Sequence, residues 1–346
     1  MNTEWQNHLL DRQAIIKNHC VFDFGNFSAE LLAAETTTVM TDLSHWGLLQ
    51  FSGDDAQAFL QNQLSCDIRE IGLNAANYGS YCTPKGRVLA NFIVWQREND
   101  LFMQLPASLL SAVQKRLSLY VLRAKVKITN CSDTWIRFGI AGANAITLIR
   151  DIENSVNDFA YPMQLQHSEK FSALYLSQNR AEIITTIENA QATWNQLSQH
   201  ARPVGANCWN WLEIRAGIPN ILPETQEMFL PQMINLDAIG GVSFKKGCYP
   251  GQEIVARTQY LGKLKRRMRL VHIATTETIA AGDALYSMDM NDQLSGNIVN
   301  AEPSPHGGFD ALAVVQLSSI DANEIHCLST QGPVLEFQSL PYSLPV

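Results

Sequence analysis

The run Val88-Leu89-Ala90-Asn91-Phe92-Ile93-Val94-Trp95 constrains this chain more than any other stretch. It is rich in β-branched and aromatic residues and too short for an ordinary helix, so it reads as a buried strand. Thr83-Pro84-Lys85-Gly86 turns the chain into it. Arg97-Glu98-Asn99-Asp100 turns it back into Leu101–Leu105, which predicts a hairpin. Before it, Ser52-Gly53-Asp54-Asp55 opens a helix, with Ala56, Phe59, Leu60 and Leu64 at helical spacing. After it, the pattern predicts a helix from Pro106 to about Leu122 and a strand at Ala124–Ile128. Strand Trp135–Ala141, helix Ala143–Ile152, strand Ala173–Leu176 and a helix at Arg180–Glu188 follow. This order fits an α+β fold.

The character changes after Arg257. Short strand-like runs at Met268–Ile273, Ala284–Tyr286, Asn297–Val299, Leu312–Gln316 and Glu324–Leu328 are punctuated by Gly282, Gly296, Gly307 and Gly308. They predict a small all-β barrel or sandwich at the C-terminus. With 346 residues, at roughly 150 per domain, two or three domains are expected. The boundaries are drawn at 1–130 (α+β), 131–262 (α+β, ending in the cysteine motif below) and 263–346 (barrel).

Hydrophobic residues make up 46% and charged residues 17% of the chain, which excludes a mainly disordered protein. A net charge of -8 argues against coating nucleic acid with the whole surface. No apolar run approaches the ~20 residues that span a bilayer. Nor does the N-terminus show the basic-then-apolar order of a secretory signal, so a cytoplasmic protein without a membrane partner is expected. The 7 cysteines are scattered, with no C-x-x-C pair, and read as reduced thiols. No metal site, phosphate loop or zinc-hydrolase motif is found.

The most distinctive segment is Lys245-Lys246-Gly247-Cys248-Tyr249-Pro250-Gly251-Gln252-Glu253-Ile254-Val255-Ala256-Arg257. Two glycines and a proline around one cysteine specify a tight turn. A helical turn beginning at Gln252 sets free amides near Cys248, and Lys245, Lys246 and Arg257 add positive charge nearby in sequence. Those features suit a reactive thiol, and they equally suit a small residue packed in a turn beside solvated lysines. Lys263-Leu264-Lys265-Arg266-Arg267-Met268-Arg269 forms a second cluster, which suits either a polyanion or a guarded edge strand. Trp46 and Trp209 are candidates for stacking on a flat heteroaromatic ring, or for the core.

The K-G-C-Y-x-G-Q-E-x-V-A-R pattern of Lys246–Arg257 resembles the signature of the YgfZ family. Gly53-Asp54-Asp55-Ala56, Gln61-x-Gln63-Leu64-Ser65-x-Asp67, Lys85-Gly86-Arg87, Ala216-Gly217-Ile218-Pro219 and Phe229-x-Pro231-Gln232 carry the resemblance along almost the whole chain. It implies a fold like the glycine-cleavage aminomethyltransferase, with three domains around a central channel and a C-terminal β-barrel. It also implies a tetrahydrofolate-binding accessory protein that supports iron–sulfur cluster assembly or repair and, through iron–sulfur enzymes, tRNA modification. Cys248 would be the working thiol, with Lys246 and Arg257 acting on it and Gly247, Tyr249, Gly251, Gln252 and Glu253 shaping the loop. Trp46 and Trp209 would contact the folate. One departure counts against aminomethyl transfer: Ala90 and Asn91 stand where that enzyme carries its acidic pair. Whether the protein is an enzyme is left open by the resemblance. A folate-dependent one-carbon transferase and a tRNA-binding partner using the basic run are the alternatives.

Overall fold

The computed structural model describes all residues except 154–158, 263, 291–292, 321–323 and 346. The chain forms two compact units, interleaved along the sequence. One comprises 1–56, 70–77 and 93–209, the other 57–69, 78–92 and 210–346.

The first unit holds a sheet with strand order 165–167, 171–177, 180–186, 135–141, 39–42 and 202–204. All neighbours are antiparallel except the last pair, which is parallel. Helices Ala145–Ile152 and Ile187–Leu197 pack on it. The core between them is aromatic: Trp5 and Phe138 both meet the Trp194 ring edge-on. The stretch at Arg180 is a correction to the sequence reading. Arg180–Thr186 is a strand, paired on both sides, and the helix begins only at Ile187. Ile183-Ile184-Thr185-Thr186-Ile187 is an unbroken β-branched run, which favours the pleated conformation over a helix start.

In the same unit, strand Asp100–Pro106 pairs with the 93–97 end of strand Val88–Arg97 and with Trp46–Ser52, which also pairs with the edge strand Lys127–Asn130. The hairpin predicted around Glu98 is therefore present, with Glu98 at a left-handed φ of 55°. Helix Ala107–Ser118 lies over this sheet, and Leu110 fills the space where a side chain at Gly47 would stand. The helix ends four residues before Leu122, and a chain of turns leads to the edge strand.

The second unit is dominated by an antiparallel sheet with strand order 325–327, 284–287, 294–303, 309–316, 266–273 and 335–338. Its outer strands meet through one bridge, His326 with Val334, so the sheet curls back on itself as a barrel does. Val271, Ile273, Leu285, Ile298, Ala313, Val315 and Ile325 fill its interior. Of the expected basic run, Lys263 lies outside the described residues. Arg267 is buried and forks onto Asp237 at 3.0 and 3.1 Å, and Arg266 donates to the Leu294 carbonyl at 2.6 Å. Strand geometry thus distributes this run instead of presenting it as one polyanion surface.

Residues 217–221 cross this unit buried and without regular structure, so side chains must satisfy their backbone. Asn91 is central to this. Its Nδ2 donates to the Pro219 carbonyl at 2.6 Å, and its Oδ1 accepts from the Ile221 amide at 2.8 Å. Asn300 pairs in the same two-way manner with Asn220, at 2.8 Å in each direction. The Tyr342 hydroxyl donates to the Gly217 carbonyl at 2.7 Å. An ionised carboxylate, which only accepts, cannot both donate and accept as the Asn91 amide does. Asn91→Asp should therefore destabilise the protein by at least about 2 kcal/mol at neutral pH. Urea unfolding of the variant beside the parent chain measures this, and an unchanged midpoint would contradict it.

Candidate functional site

Several of the motif segments scattered along the sequence come together in the second unit around the cysteine loop, whereas Gly53-Asp54-Asp55-Ala56 lies in the first unit. Lys246 enters the interior, with only 5% of its surface exposed. Its ammonium donates to the carbonyls of Leu64 and Cys66 at 2.6 and 2.9 Å and lies 5.3 Å from the centre of the Tyr249 ring. Tyr249 is itself buried. Between these two inward anchors the chain loops out through Gly247 and Cys248, both exposed. The Gln252 side chain closes the loop by donating to the Lys246 carbonyl at 3.3 Å, and the Gln252 amide donates to the Tyr249 carbonyl at 3.1 Å.

Gly251 follows at a φ of 85°, a left-handed conformation that glycine adopts without steric cost. A Cβ at this position would lie 2.6 Å from Gly86 Cα and would strike the Thr83 carbonyl oxygen. The Lys85-Gly86-Arg87 turn and the cysteine loop are thus packed backbone against backbone. Helix Gln252–Tyr260 continues from there, with Val255 buried and the Gln232 amide donating to the Val255 carbonyl at 2.7 Å. The Phe229-x-Pro231-Gln232 segment is the bracket for this helix: the Phe229 carbonyl also accepts from the Val88 amide at 2.9 Å. In the receiving loop, Ser65 Oγ donates to the Gly241 carbonyl at 2.6 Å, and the Arg69 guanidinium holds the Asp67 carboxyl down at about 2.

Cys248 stands apart chemically. Of the seven cysteines, five are buried, Cys20 is half-buried, and Cys248 is exposed. Burial pushes the thiols of Cys66, Cys82 and Cys327 up to about 12 and that of Cys131 to about 11, which keeps them protonated. Among the described residues no three His, Cys, Asp or Glu side chains converge as a metal site. The Lys246 ammonium holds the Leu64 and Cys66 carbonyls and so fixes the shape of the loop. Glu253 and Arg257 are exposed on the helix.

The tryptophans lie in the first unit. Trp46 begins its strand, 8% exposed, and the buried Arg137 guanidinium donates to its carbonyl at 2.6 Å. Nearby along the same network, Gln104 donates to the buried Glu182 carboxylate at 2.8 Å. Trp209 is 1% exposed, its ring filling the space where a side chain at Gly139 would stand, with the Arg180 guanidinium 4.9 Å over its ring. One face of the Trp209 ring thus carries a cation. What both indoles do retain is a buried N–H with no hydrogen-bond partner among the described residues. Asn91, Asn300, Tyr342 and Ser65 were missed as structural determinants; a lone Asn inside the apolar run 88–95 was the available signal for the first.

The fold and the assembled motifs define a class: the chain belongs to the GCVT N-terminal domain family, whose model matches residues 21–246. That match ends at Lys246, where the cysteine motif begins. Among curated proteins, the chain is 29% identical over 309 residues to the tRNA-modifying protein YgfZ of Vibrio atlanticus, covering 88% of this chain and 93% of the relative. It is equally 29% identical over 314 residues to the YgfZ protein of Colwellia psychrerythraea, covering 90% and 96%. The glycine cleavage system aminomethyltransferase T from Bartonella henselae superposes with a TM-score of 0.78 at 16% identity, covering 99% of this chain and 97% of that one. The likeness to that enzyme is one of fold. No helix among the described residues is long and apolar enough to cross a membrane.

Burial pushes the Lys246 ammonium from 10.5 down to about 8, against the pull of Cys66 and Asp67. The unfolded chain therefore binds more protons than the folded one between these two values. Unfolding free energy should rise as pH goes from about 8 to about 10.5, as the cost of burying the charge disappears. Lys246→Met removes the titrating group, so this share of the pH dependence should vanish. Urea midpoints of both proteins at pH 7.5 and 9.5 test it; parallel shifts would refute the assignment.

Proposed function

We propose that this protein is a tetrahydrofolate-binding accessory factor that supports iron–sulfur enzymes of tRNA modification, with Cys248 as its working thiol. The observation that carries the proposal is the presentation of Cys248. One exposed thiol sits on a loop held at both ends by buried groups, while the fold keeps the other thiols protonated or covered. A short loop so fully anchored keeps its shape and costs little ordering when a partner docks. The tRNA connection is taken from the relatives, which bear the name tRNA-modifying protein.

Support for folate comes from the aminomethyltransferase-like fold and from the first unit's unpartnered donors. Trp46 and Trp209 each offer a buried indole N–H, and Thr41 a buried hydroxyl, with no partner among the described residues. Pterin and benzoyl groups carry ring nitrogens and carbonyl oxygens that accept such bonds, so these residues fit the cofactor as donors more than as stacking platforms. Folate, when bound, supplies a one-carbon carrier. In this chain the place of the aminomethyltransferase acidic pair is taken by Ala90 and by Asn91, whose amide is committed on both sides to the 219–221 backbone. It has no proton to exchange, which argues against the one-carbon transferase alternative.

Two experiments test the proposal. Tetrahydrofolate should quench tryptophan fluorescence saturably, and Trp46→Phe, which removes one N–H, should weaken binding roughly fivefold to tenfold. No response at millimolar ligand would sink the folate part. Separately, Cys248→Ala should abolish support of iron–sulfur tRNA-modifying enzymes in a complementation assay while leaving the melting temperature unchanged. Full complementation by that variant would remove the thiol from the mechanism.

A further inference from the structure

The longest stretch of this acidic chain without a carboxylate runs from Leu101 to Ser132, and Lys115, Arg116, Arg123, Lys125 and Lys127 all fall within it. The fold gathers them. Lys115 and Arg116 lie in the last turn of helix Ala107–Ser118, and Lys127 begins the edge strand Lys127–Asn130. The Gln114 side chain ties the two elements together by donating to the Ile128 carbonyl at 3.1 Å. Arg123 and Lys125 lie on the turns between them. Lys125 is paired with Asp54 at 3.2 Å, and its amide donates to Asp55. Among the described residues, Lys115, Arg116, Arg123 and Lys127 have no carboxylate partner.

The same turns expose large apolar side chains. Leu119 is 69% exposed, Tyr120 49% and Leu122 87%. Cations on an edge strand guard it against unwanted pairing, which accounts for Lys127. That explanation does not reach the apolar tip, which would make such a guard worse. An apolar and aromatic tip set among unpaired cations instead matches unstacked bases flanked by phosphates. Flat bases pack on Tyr120 and the leucines, and Lys and Arg track the backbone charge.

We propose that the end of helix Ala107–Ser118, the turn 119–124 and the edge strand Lys127–Asn130 form an RNA-contacting surface that engages an unpaired segment of tRNA. The inference rests on the tRNA-modification reading above and moves any RNA contact away from the 263–269 run. Segregated positive charge on a chain of net charge -8 steers a polyanion to this one region.

Fluorescence anisotropy with labelled bulk tRNA tests this on the full chain. Binding should weaken steeply between about 50 and about 200 mM salt. Combined Lys115→Glu, Arg116→Glu and Arg123→Glu should lower affinity at least about 100-fold at the lower salt and flatten the salt dependence by about 0.7 per lost single-strand contact. Tyr120→Ser, a mild surface change, should lower it roughly tenfold. Lys265→Glu with Arg266→Glu should leave it unchanged. Circular dichroism and the tetrahydrofolate titration serve as controls for folding. Absent binding, or binding indifferent to the triple reversal and to Tyr120→Ser, overturns the surface. So does binding that goes to phosphatidylglycerol-containing vesicles and not to tRNA. A protein that still responds to folate but ignores tRNA defeats the surface and leaves the proposed function standing. One that binds tRNA here without a folate response supports the surface and defeats the folate reading.

Discussion

A buried, irregular stretch of backbone, residues 217–221, is what the second unit depends on. With no helix or sheet ladder to use, its polar groups would each cost free energy if left unpaired. Asn91 from the buried hairpin strand, Asn300 from the curled sheet and Tyr342 from the C-terminal segment supply the missing partners. Each comes from a different part of the chain, so this stretch fixes the hairpin strand, the curled sheet and the tail to one another. The arrangement also explains why an amide stands at position 91. A carboxylate could accept from Ile221 but could not donate to Pro219.

The cysteine loop is built on the same logic. Lys246 and Tyr249 face inward, and Gly247 and Cys248 face outward. The ammonium satisfies two carbonyls of the Leu64–Cys66 loop, and the glycines at 86 and 251 let two backbones approach where side chains would collide. Burying the lysine is costly, as the depression to about 8 shows. That cost is offset by a loop with one defined shape. The loop thus sets an exposed thiol at the top of an anchored support, and the residues of the K-G-C-Y-x-G-Q-E motif divide between the support and the thiol it presents.

Much of this was legible in the sequence where a local rule applied. The alternating apolar runs beyond Leu264 and the turn residues between them predicted the C-terminal strands, and Cys248 stood out by its neighbours alone. Reading failed where partners from distant parts of the chain decided. Arg180–Thr186 looked helical until two flanking strands were available to pair with it. The cations of 265–269 looked like one patch, yet period-two geometry sends Arg267 to Asp237 and Arg266 to Leu294. Lys246 looked like a neighbour of the thiol because it is two residues away, whereas its side chain reaches carbonyls some 180 positions earlier.

By itself, then, the sequence determined the element types over most of the chain, the single unusual cysteine and the family pattern. These depend on side-chain periodicity, turn chemistry and residue spacing, all of which are local. Only the tertiary structure decided which cations are spent inside and which are left outside, which indoles keep an unpaired N–H, and where an apolar tip meets free positive charge. Those outcomes depend on burial and on hydrogen-bond partners far apart in sequence, and a linear pattern carries neither.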